Sequence, residues 1–278
     1  MRIVNWNVNS ARTRADRMVD FLLRHDVDVL AVQETKCADD KFPYERFEEI
    51  GYEVAHVGYS QWNGVAIISR VGIADVETQF PGQPGFHKNP DKPQDVEARA
   101  VGATCGGVRV WSLYVPNGRE IADPHYDYKL RWLYALGFHV QDTLAQDPDQ
   151  KLVLLGDFNI APHDEDVWDI AAFEGSTHVT EPERIAFDFL LDAGLTEVTR
   201  PLTRERYTYW DYKGLRYQKG EGMRIDFQLA SEALAATAGS AFVDIEERSG
   251  KGASDHAPVL VDYDLRERSL SQAFDEVR

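Results

Sequence analysis

The sequence predicts an α/β protein built from two stacked, mixed β-sheets with helices on the outside. Three observations carry this. Apolar runs of strand length outnumber the stretches with helical spacing. The two kinds do not alternate strictly, which disfavours a doubly wound parallel sheet. Six polar clusters (NWNVN, VQETK, YVPNG, GDFN, RIDF and SDHAP) each follow or close an apolar run. Several strands therefore deliver carboxylates, amides and one imidazole to a common edge.

Val4, Trp6 and Val8 alternate with Asn5, Asn7 and Asn9, a strand with one apolar and one amide face. Thr13 is placed to cap a helix in which Met18, Phe21, Leu22 and His25 share a side. Residues 27–32 form a buried strand from whose end Gln33 and Glu34 emerge. Further strands are expected at 52–57, 65–69, 108–115, 152–155, 207–210, 225–230, 241–246 and 259–263. Helical spacing is clearest over 128–144, through Leu130, Leu133, Tyr134, Phe138 and Leu144. Shorter helices are expected at 183–193 and 232–238. The long irregular stretch 81–93, rich in Pro and Gly, reads as a surface excursion between strands. Residues 1–265 are expected to form one domain, and 266–278 a polar tail.

An apolar fraction of 43% and an aromatic fraction of 11% suffice for a large core. Cys37 and Cys105 cannot staple a chain of 278 residues and fit a reducing compartment. No apolar run approaches the roughly 18–20 residues of a membrane span, and the first strand begins by Ile3. These features predict a soluble, cytoplasmic protein. The net charge of −17 argues against nucleic acid, whose partners usually carry a basic face. Locally the balance reverses. Between Arg200 and Arg224 seven basic residues face three acidic ones, interleaved with Tyr207, Tyr209, Trp210, Tyr212 and Tyr217. Cations beside flat rings suit a nucleic-acid groove.

Magnesium takes a few hard oxygen ligands and keeps several waters, so one firm carboxylate with helpers suffices. Glu34 at a strand end is that carboxylate, with the Asn7 amide and Asp255 as helpers. In GDFN, Gly156 permits a sharp turn, Asp157 and Asn159 project one way, and Phe158 anchors into the core. An acid and an amide so placed can orient water and hold a phosphoryl oxygen, although an Asx-turn gives the same sequence. Asp226, between Ile225 and Phe227, is a charge in a half-buried place and needs a partner. His256 is the natural one, since a carboxylate fixes the tautomer of an imidazole and stabilises its cation. Tyr114 and Asn117, at a strand mouth, can donate to phosphate oxygens. The inventory is that of a metal-assisted hydrolase of phosphate esters.

From Arg2 to about Tyr263 the chain resembles the exonuclease III family of apurinic/apyrimidinic endonucleases. NWNVNS, DVLAVQETK, YVPNG, GDFNIAP, RIDF and SDHAP fall in that family's order. The resemblance implies a deoxyribonuclease I-like, four-layer α/β sandwich with the site at one edge. It implies Glu34 as the principal ligand of Mg2+ or Mn2+, with Asn7 and Asp255 near it and Asp157, Asn159 and His256 completing the metal surroundings. Tyr114 and Asn159 would bind the scissile phosphate, Asp226 would orient His256, and Asp157 would carry a proton or activate water. Asn9, Lys36, Asn117, Tyr209, Trp210, Met223 and Arg224 would contact DNA. Tyr209 and Trp210 match the aromatic part of the pocket for a flipped sugar. Met223 stands where relatives have tryptophan or leucine, and His163 and Trp168 lie near enough to modulate that pocket. The implied enzyme is a monomeric DNA-repair nuclease that hydrolyses the P–O3′ bond of duplex DNA. It would cut 5′ to abasic sites, remove 3′ nucleotides and 3′ blocking groups, or do both. Another metal-dependent phosphodiesterase or phosphatase of the same superfamily is the alternative.

Overall fold

The structure, a computed structural model, describes residues 1–265. The tail expected over 266–278 lies outside the described residues. The chain runs through strands β1 (Arg2–Asn7), β2 (Val29–Gln33), β3 (Glu53–Val57), β4 (Val65–Ser69), β5 (Ala74–Glu77) and β6 (Ala100–Cys105). It continues through β7 (Val108–Tyr114), β8 (Leu152–Asp157), β9 (Leu195–Glu197), β10 (Asp226–Ser231), β11 (Ala238–Val243) and β12 (Val259–Tyr263). The α-helices are α1 (Ala11–Arg24), α2 (Tyr44–Glu48), α3 (Pro124–Gln146), α4 (Glu181–Asp192), α5 (Arg216–Lys219) and α6 (Glu232–Ala235).

The strands make two six-stranded mixed sheets, in the orders β11-β12-β1-β2-β4-β3 and β5-β6-β7-β8-β10-β9. Alternation along each strand builds three layers of core. Ile3, Val29, Ala31, Val110, Val153 and Val261 fill the space between the sheets. Val4, Trp6, Met18, Phe21 and Leu22 join α1 to the outer face of the first sheet. Trp132, Leu136, Phe187 and Leu190 join α3 and α4 to the outer face of the second. The expected four-layer sandwich is thus observed. The amide face of β1 turns inward, where the Nε2 of Gln228 donates to the Oδ1 of Asn5 at 3.3 Å.

Several expected boundaries move. The helix expected after Thr13 starts at Ala11 instead, and Thr13 lies in its first turn with its hydroxyl 2.8 Å from that of Ser10. The helix expected over 232–238 ends at Ala235, and the strand expected over 241–246 runs from Ala238 to Val243. The segment 207–210 is not a strand. Tyr209 forms single bridges to Met223 and His256, and the amides of Thr208 and Tyr209 both donate to the Met223 carbonyl, which bends the chain out of register. β6 was not expected because its sequence, AVGATC, is poor in strand formers. It is a strand because each of its residues pairs with β7, and its glycine makes room for Trp111, whose indole a Cβ at Gly102 would approach within 2.7 Å.

Candidate active site

The topology explains why six segments meet. β1 and β2 are parallel, and so are β7 and β8. Their C-terminal ends carry Asn7, Glu34, Tyr114 and Asp157 to one edge of the two sheets. β12 runs antiparallel to β1, and β10 antiparallel to β8, so the N-terminal approaches to those strands bring Asp255, His256 and Asp226 to the same edge. Asp226 pairs directly with Asp157 in the β8–β10 ladder.

One amide ties the sheets together. The Nδ2 of Asn7 donates to Glu34 Oε1 at 2.8 Å and to Asp157 Oδ2 at 3.0 Å. Its Oδ1 accepts the Asn9 amide at 3.0 Å, and Asn9 in turn donates to Asp255 at 3.1 Å. Lys36 reaches back to lie 2.8 Å from Glu34 Oε2 and 2.5 Å from Asn9 Oδ1. On the other side, Nδ1 of His256 meets both oxygens of Asp226, at 2.9 and 3.1 Å. Thr208 donates to Asp226 at 2.6 Å. The second ring nitrogen, Nε2, faces Asp157 Oδ2 at 3.7 Å. Glu34, Asp157 and His256 thus present three ligand-type atoms within 4.8 Å of one another.

The electrostatics follow from crowding these groups in a buried place. Burial, with Asp226 and Glu34 nearby, pushes the Asp157 carboxyl up to about 7. Burial works to discharge His256, but the Asp226 and Asp157 carboxylates outweigh it and raise the imidazole to about 10. Burial also opposes ionisation of Glu34, yet Lys36 and Asn7 hold its carboxyl below the usual range. Burial, followed by Glu34, drives the Tyr114 phenol well above its ordinary value, and the Arg99 guanidinium lies 4.9 Å from that ring.

Burial holds three histidines neutral well into the acid range, His56 and His125 at about 4 and His178, on the cleft wall, at about 3, and it lowers His139 as well. A histidine with a lowered folded pKa contributes stability above its unfolded value near 6.5, and that stability is lost as pH falls toward the folded value. Each proton bound only by the unfolded chain costs about 1.4 kcal/mol per pH unit. Asp157, raised in the fold, offsets one of the three. Stability should therefore fall by roughly 2–3 kcal/mol per pH unit at the steepest between about pH 6.5 and 4.5. Above pH 6.5 the raised His256 reverses the sign, because its contribution is lost as pH climbs through about 10. Urea unfolding at half-unit pH steps checks this, and a midpoint that stays flat from pH 6.5 to 4.5 would contradict it.

The GDFN turn is both of the things its sequence allowed. Asn159 sits at φ 51, and its amide donates to Asp157 Oδ1 at 2.9 Å in an Asx-type turn. Asp157 and Asn159 nevertheless line one cleft while Phe158 is buried. Asn117 donates to Asn159 Oδ1 at 3.1 Å, and His178 Nε2 lies 3.1 Å from the same oxygen. His178 was not foreseen, since it lies in a loop marked by no strand end. Beneath them Lys129 donates to the Asn159 carbonyl at 2.6 Å and to Glu183 at 2.5 Å. Gly156 has φ 143, and a Cβ there would lie 2.1 Å from the Leu113 carbonyl oxygen. Gly156→Ala is expected to cost about 1–3 kcal/mol, read as a lower urea midpoint. An unchanged midpoint would show that the β7–β8 pair can spread.

The cleft has a volume of about 940 Å³ and runs past Tyr114, Asn117, Trp168, His178, Tyr209, Met223 and Ile225. Four residues expected to contact DNA are not on its wall: Asn9 and Lys36, which are bonded to Asp255 and Glu34, and Trp210 and Arg224. Trp210 is 6% exposed and packs with Tyr207 and Tyr217. As Tyr209's neighbour it points to the opposite side, and Trp168 supplies the indole of the cleft instead. Arg224 is 3% exposed, and its guanidinium donates to the Glu205 carbonyl and to Thr199 and Thr203. It braces the loop before Tyr207. His163 caps the short turn at Asp164–Asp166, away from the cleft.

Residues 4–256 match the endonuclease/exonuclease/phosphatase family. The chain belongs to that family. It is 26% identical to exodeoxyribonuclease III of Haemophilus influenzae over 277 residues, 95% of this chain and all of that protein. Among solved structures it is similar to the 3′ phosphatase NExo from Neisseria bound to a product DNA hairpin. That match has 39% identity and a TM-score of 0.87, covering 95% of this chain and 99% of that one. It is also similar to an AP endonuclease from Archaeoglobus fulgidus, at 34% identity and a TM-score of 0.85, covering 95% and 100% of the two chains. Among the described residues no helix is long and apolar enough to cross a membrane.

Proposed function

We propose that this family member is a DNA-repair nuclease that hydrolyses the P–O3′ bond at 3′ ends and 5′ to abasic sites. One observation carries the reading: Glu34, Asp157 and the Asp226–His256 pair converge on one cleft whose volume of about 940 Å³ has room for an extruded sugar. The relatives named above, which include an exodeoxyribonuclease, a 3′ phosphatase and an AP endonuclease, support the substrate class. A missing base lowers the cost of extruding a sugar, so selectivity needs no base readout.

The residues fit a divalent cation. Hard carboxylate oxygens from Glu34 and Asp157 face each other across the Asn7 amide, and the raised Asp157 marks negative charge in need of a counterion. Glu34, Asp157 and, at the rim, Asp255 would hold Mg2+ or Mn2+. His256, cationic and bonded to Asp226, fits a ligand role less well and a hydrogen-bonding role better. Such a cation, held by these carboxylates, would supply charge neutralisation at the phosphate and at the departing 3′ oxygen.

The protein's own groups do the rest. Tyr114, Asn159 and cationic His256 donate hydrogen bonds to the phosphoryl oxygens as charge develops. Asp226 fixes the orientation of the His256 ring. Asp157, raised to about 7 and so partly ionised at neutral pH, takes the proton of the attacking water, a role the cationic His256 has no free lone pair to fill. All these groups lie on one chain, which suits a monomeric enzyme, and a DNA substrate is compatible with the cytoplasmic location expected from the sequence.

Incubation with three DNAs tests this: a duplex with one stable abasic analogue, a hairpin with a 3′ phosphate, and an intact duplex. Magnesium-dependent incision 5′ to the analogue or loss of the 3′ phosphate is expected. No reaction on any of them would redirect the reading to small phosphoesters. Glu34→Gln is expected to raise the magnesium concentration for half-maximal rate by at least about tenfold, measured by metal titration. An unchanged requirement would remove Glu34 from the metal site.

A further inference from the structure

The cleft must accept a polyanion, yet its wall is acidic. Arg119 and Arg216 line it, against Glu34, Glu120, Asp157, Asp211, Glu221 and Asp255. Arg119 lies 3.7 Å from Asp123 and leans toward Phe86, on the rim. Arg216 is held differently. Its guanidinium carbon lies 4.7 Å from the Trp168 ring centroid, and its Nη1 is ion-paired with Glu221. Trp168 comes from the loop after β8, while Arg216 opens α5 and Glu221 follows it. The Glu221 amide donates to the Arg216 carbonyl at 2.9 Å, which keeps the pair together. Ring, cation and carboxylate therefore bridge two walls of the cleft that also holds Asp157 and His256.

A guanidinium laid on an aromatic face is fixed in orientation, with its N–H edge free to fork two anionic oxygens. Glu221 occupies part of that edge. The side chains of Arg216 and Glu221 are 37% and 22% exposed, so the pair is screened and exchanges readily for another anion.

We propose that Arg216, seated on Trp168, binds a backbone phosphate of DNA in the cleft, and that Glu221 is the internal stand-in which that phosphate displaces. This rests on the nuclease reading above and adds a phosphate-binding residue with its own competitor. Glu221 weakens the grip on DNA and so favours release of the cut product. Arg216 acts on binding, and the groups that perform hydrolysis do not depend on it.

The test is steady-state cleavage of a labelled hairpin bearing a 3′ phosphate, in magnesium, from about 50 to 200 mM NaCl. The proteins are wild type, Glu221→Gln, Arg216→Gln and the double variant. One neutralised phosphate changes the log–log salt slope by about 0.9, or about 3.5-fold over that fourfold range. Glu221→Gln should lower KM and steepen the salt dependence of kcat/KM. Arg216→Gln should raise KM and flatten that dependence. Both should leave kcat within about twofold, and Glu221→Gln should change KM little once Arg216 is gone. Equal tightening by Glu221→Gln in both backgrounds would reduce Glu221 to a bulk charge and overturn the inference. So would an Arg216→Gln variant with wild-type KM and slope. Wild-type protein that cuts neither this hairpin nor the abasic duplex would instead overturn the nuclease reading itself.

Discussion

His256→Asn is expected to lower kcat by about 10³-fold or more, and Asp226→Asn by about 10²–10³-fold. The imidazole is 3% exposed, bonded to both Asp226 oxygens, and presents Nε2 to Asp157. Its cation is a charged hydrogen-bond donor at the cleft, and the neighbouring carboxylates keep it charged through neutral pH. Asparagine carries neither that charge nor that reach. Asp226→Asn keeps the shape but removes the charge that holds the imidazolium, so the ring loses both its pKa and its orientation. Because the two residues act as one unit, the double variant should be little worse than His256→Asn alone. Rates compared well below each variant's unfolding temperature separate loss of chemistry from loss of fold. Wild-type kcat in His256→Asn would remove the imidazole from the mechanism.

Lys129→Met is expected to destabilise the protein by about 3–5 kcal/mol. Lys129 and Glu183 both have fully buried side chains and meet at 2.5 Å. Burial lowers the Lys129 pKa, and its ammonium holds the Glu183 carboxylate charged in spite of burial. Removing the ammonium strands a carboxylate whose other side-chain partner is the Thr180 hydroxyl. Replacing both, as Lys129→Met with Glu183→Leu, should recover much of the loss, because the desolvation of two ions disappears with the pair. Activity should not recover with it. Lys129 also donates to the carbonyls of Asn159 and Asn117, so the double variant should fold yet bind phosphate less well. Urea midpoints and KM on one set of proteins decide the matter. A Lys129→Met variant as stable as wild type would show that water reaches the pair.

The candidate catalytic groups were legible because each stands at one end of an apolar run, and a charge there has few structural uses. Asn7, Glu34, Tyr114, Asp157, Asp226 and His256 all arrive where strand patterning places them. Strand boundaries were legible where branched residues are dense, as in β4 and β12, and illegible in β6, where alanine and glycine make room for Trp111. His178 and the Lys129–Glu183 pair left no local mark. Their partners lie 19 and 54 residues away in the chain, and that separation is closed only by packing.

The linear pattern of apolar runs and polar ends was enough to predict two stacked sheets and the edge at which the candidate catalytic groups meet. Those follow from burial and from the two-residue period of a strand, which are local properties. The wall of the cleft was decided in three dimensions. Tyr209 and Trp210 are chemically alike and adjacent, yet the first faces His256, with ring centroids 4.8 Å apart, and the second faces Tyr217. Trp168 takes the place of Trp210 because the loop after β8 folds back to bridge Met223 at Val167. Which side of an irregular segment faces a cavity depends on contacts between loops distant in sequence, and no local period encodes that choice.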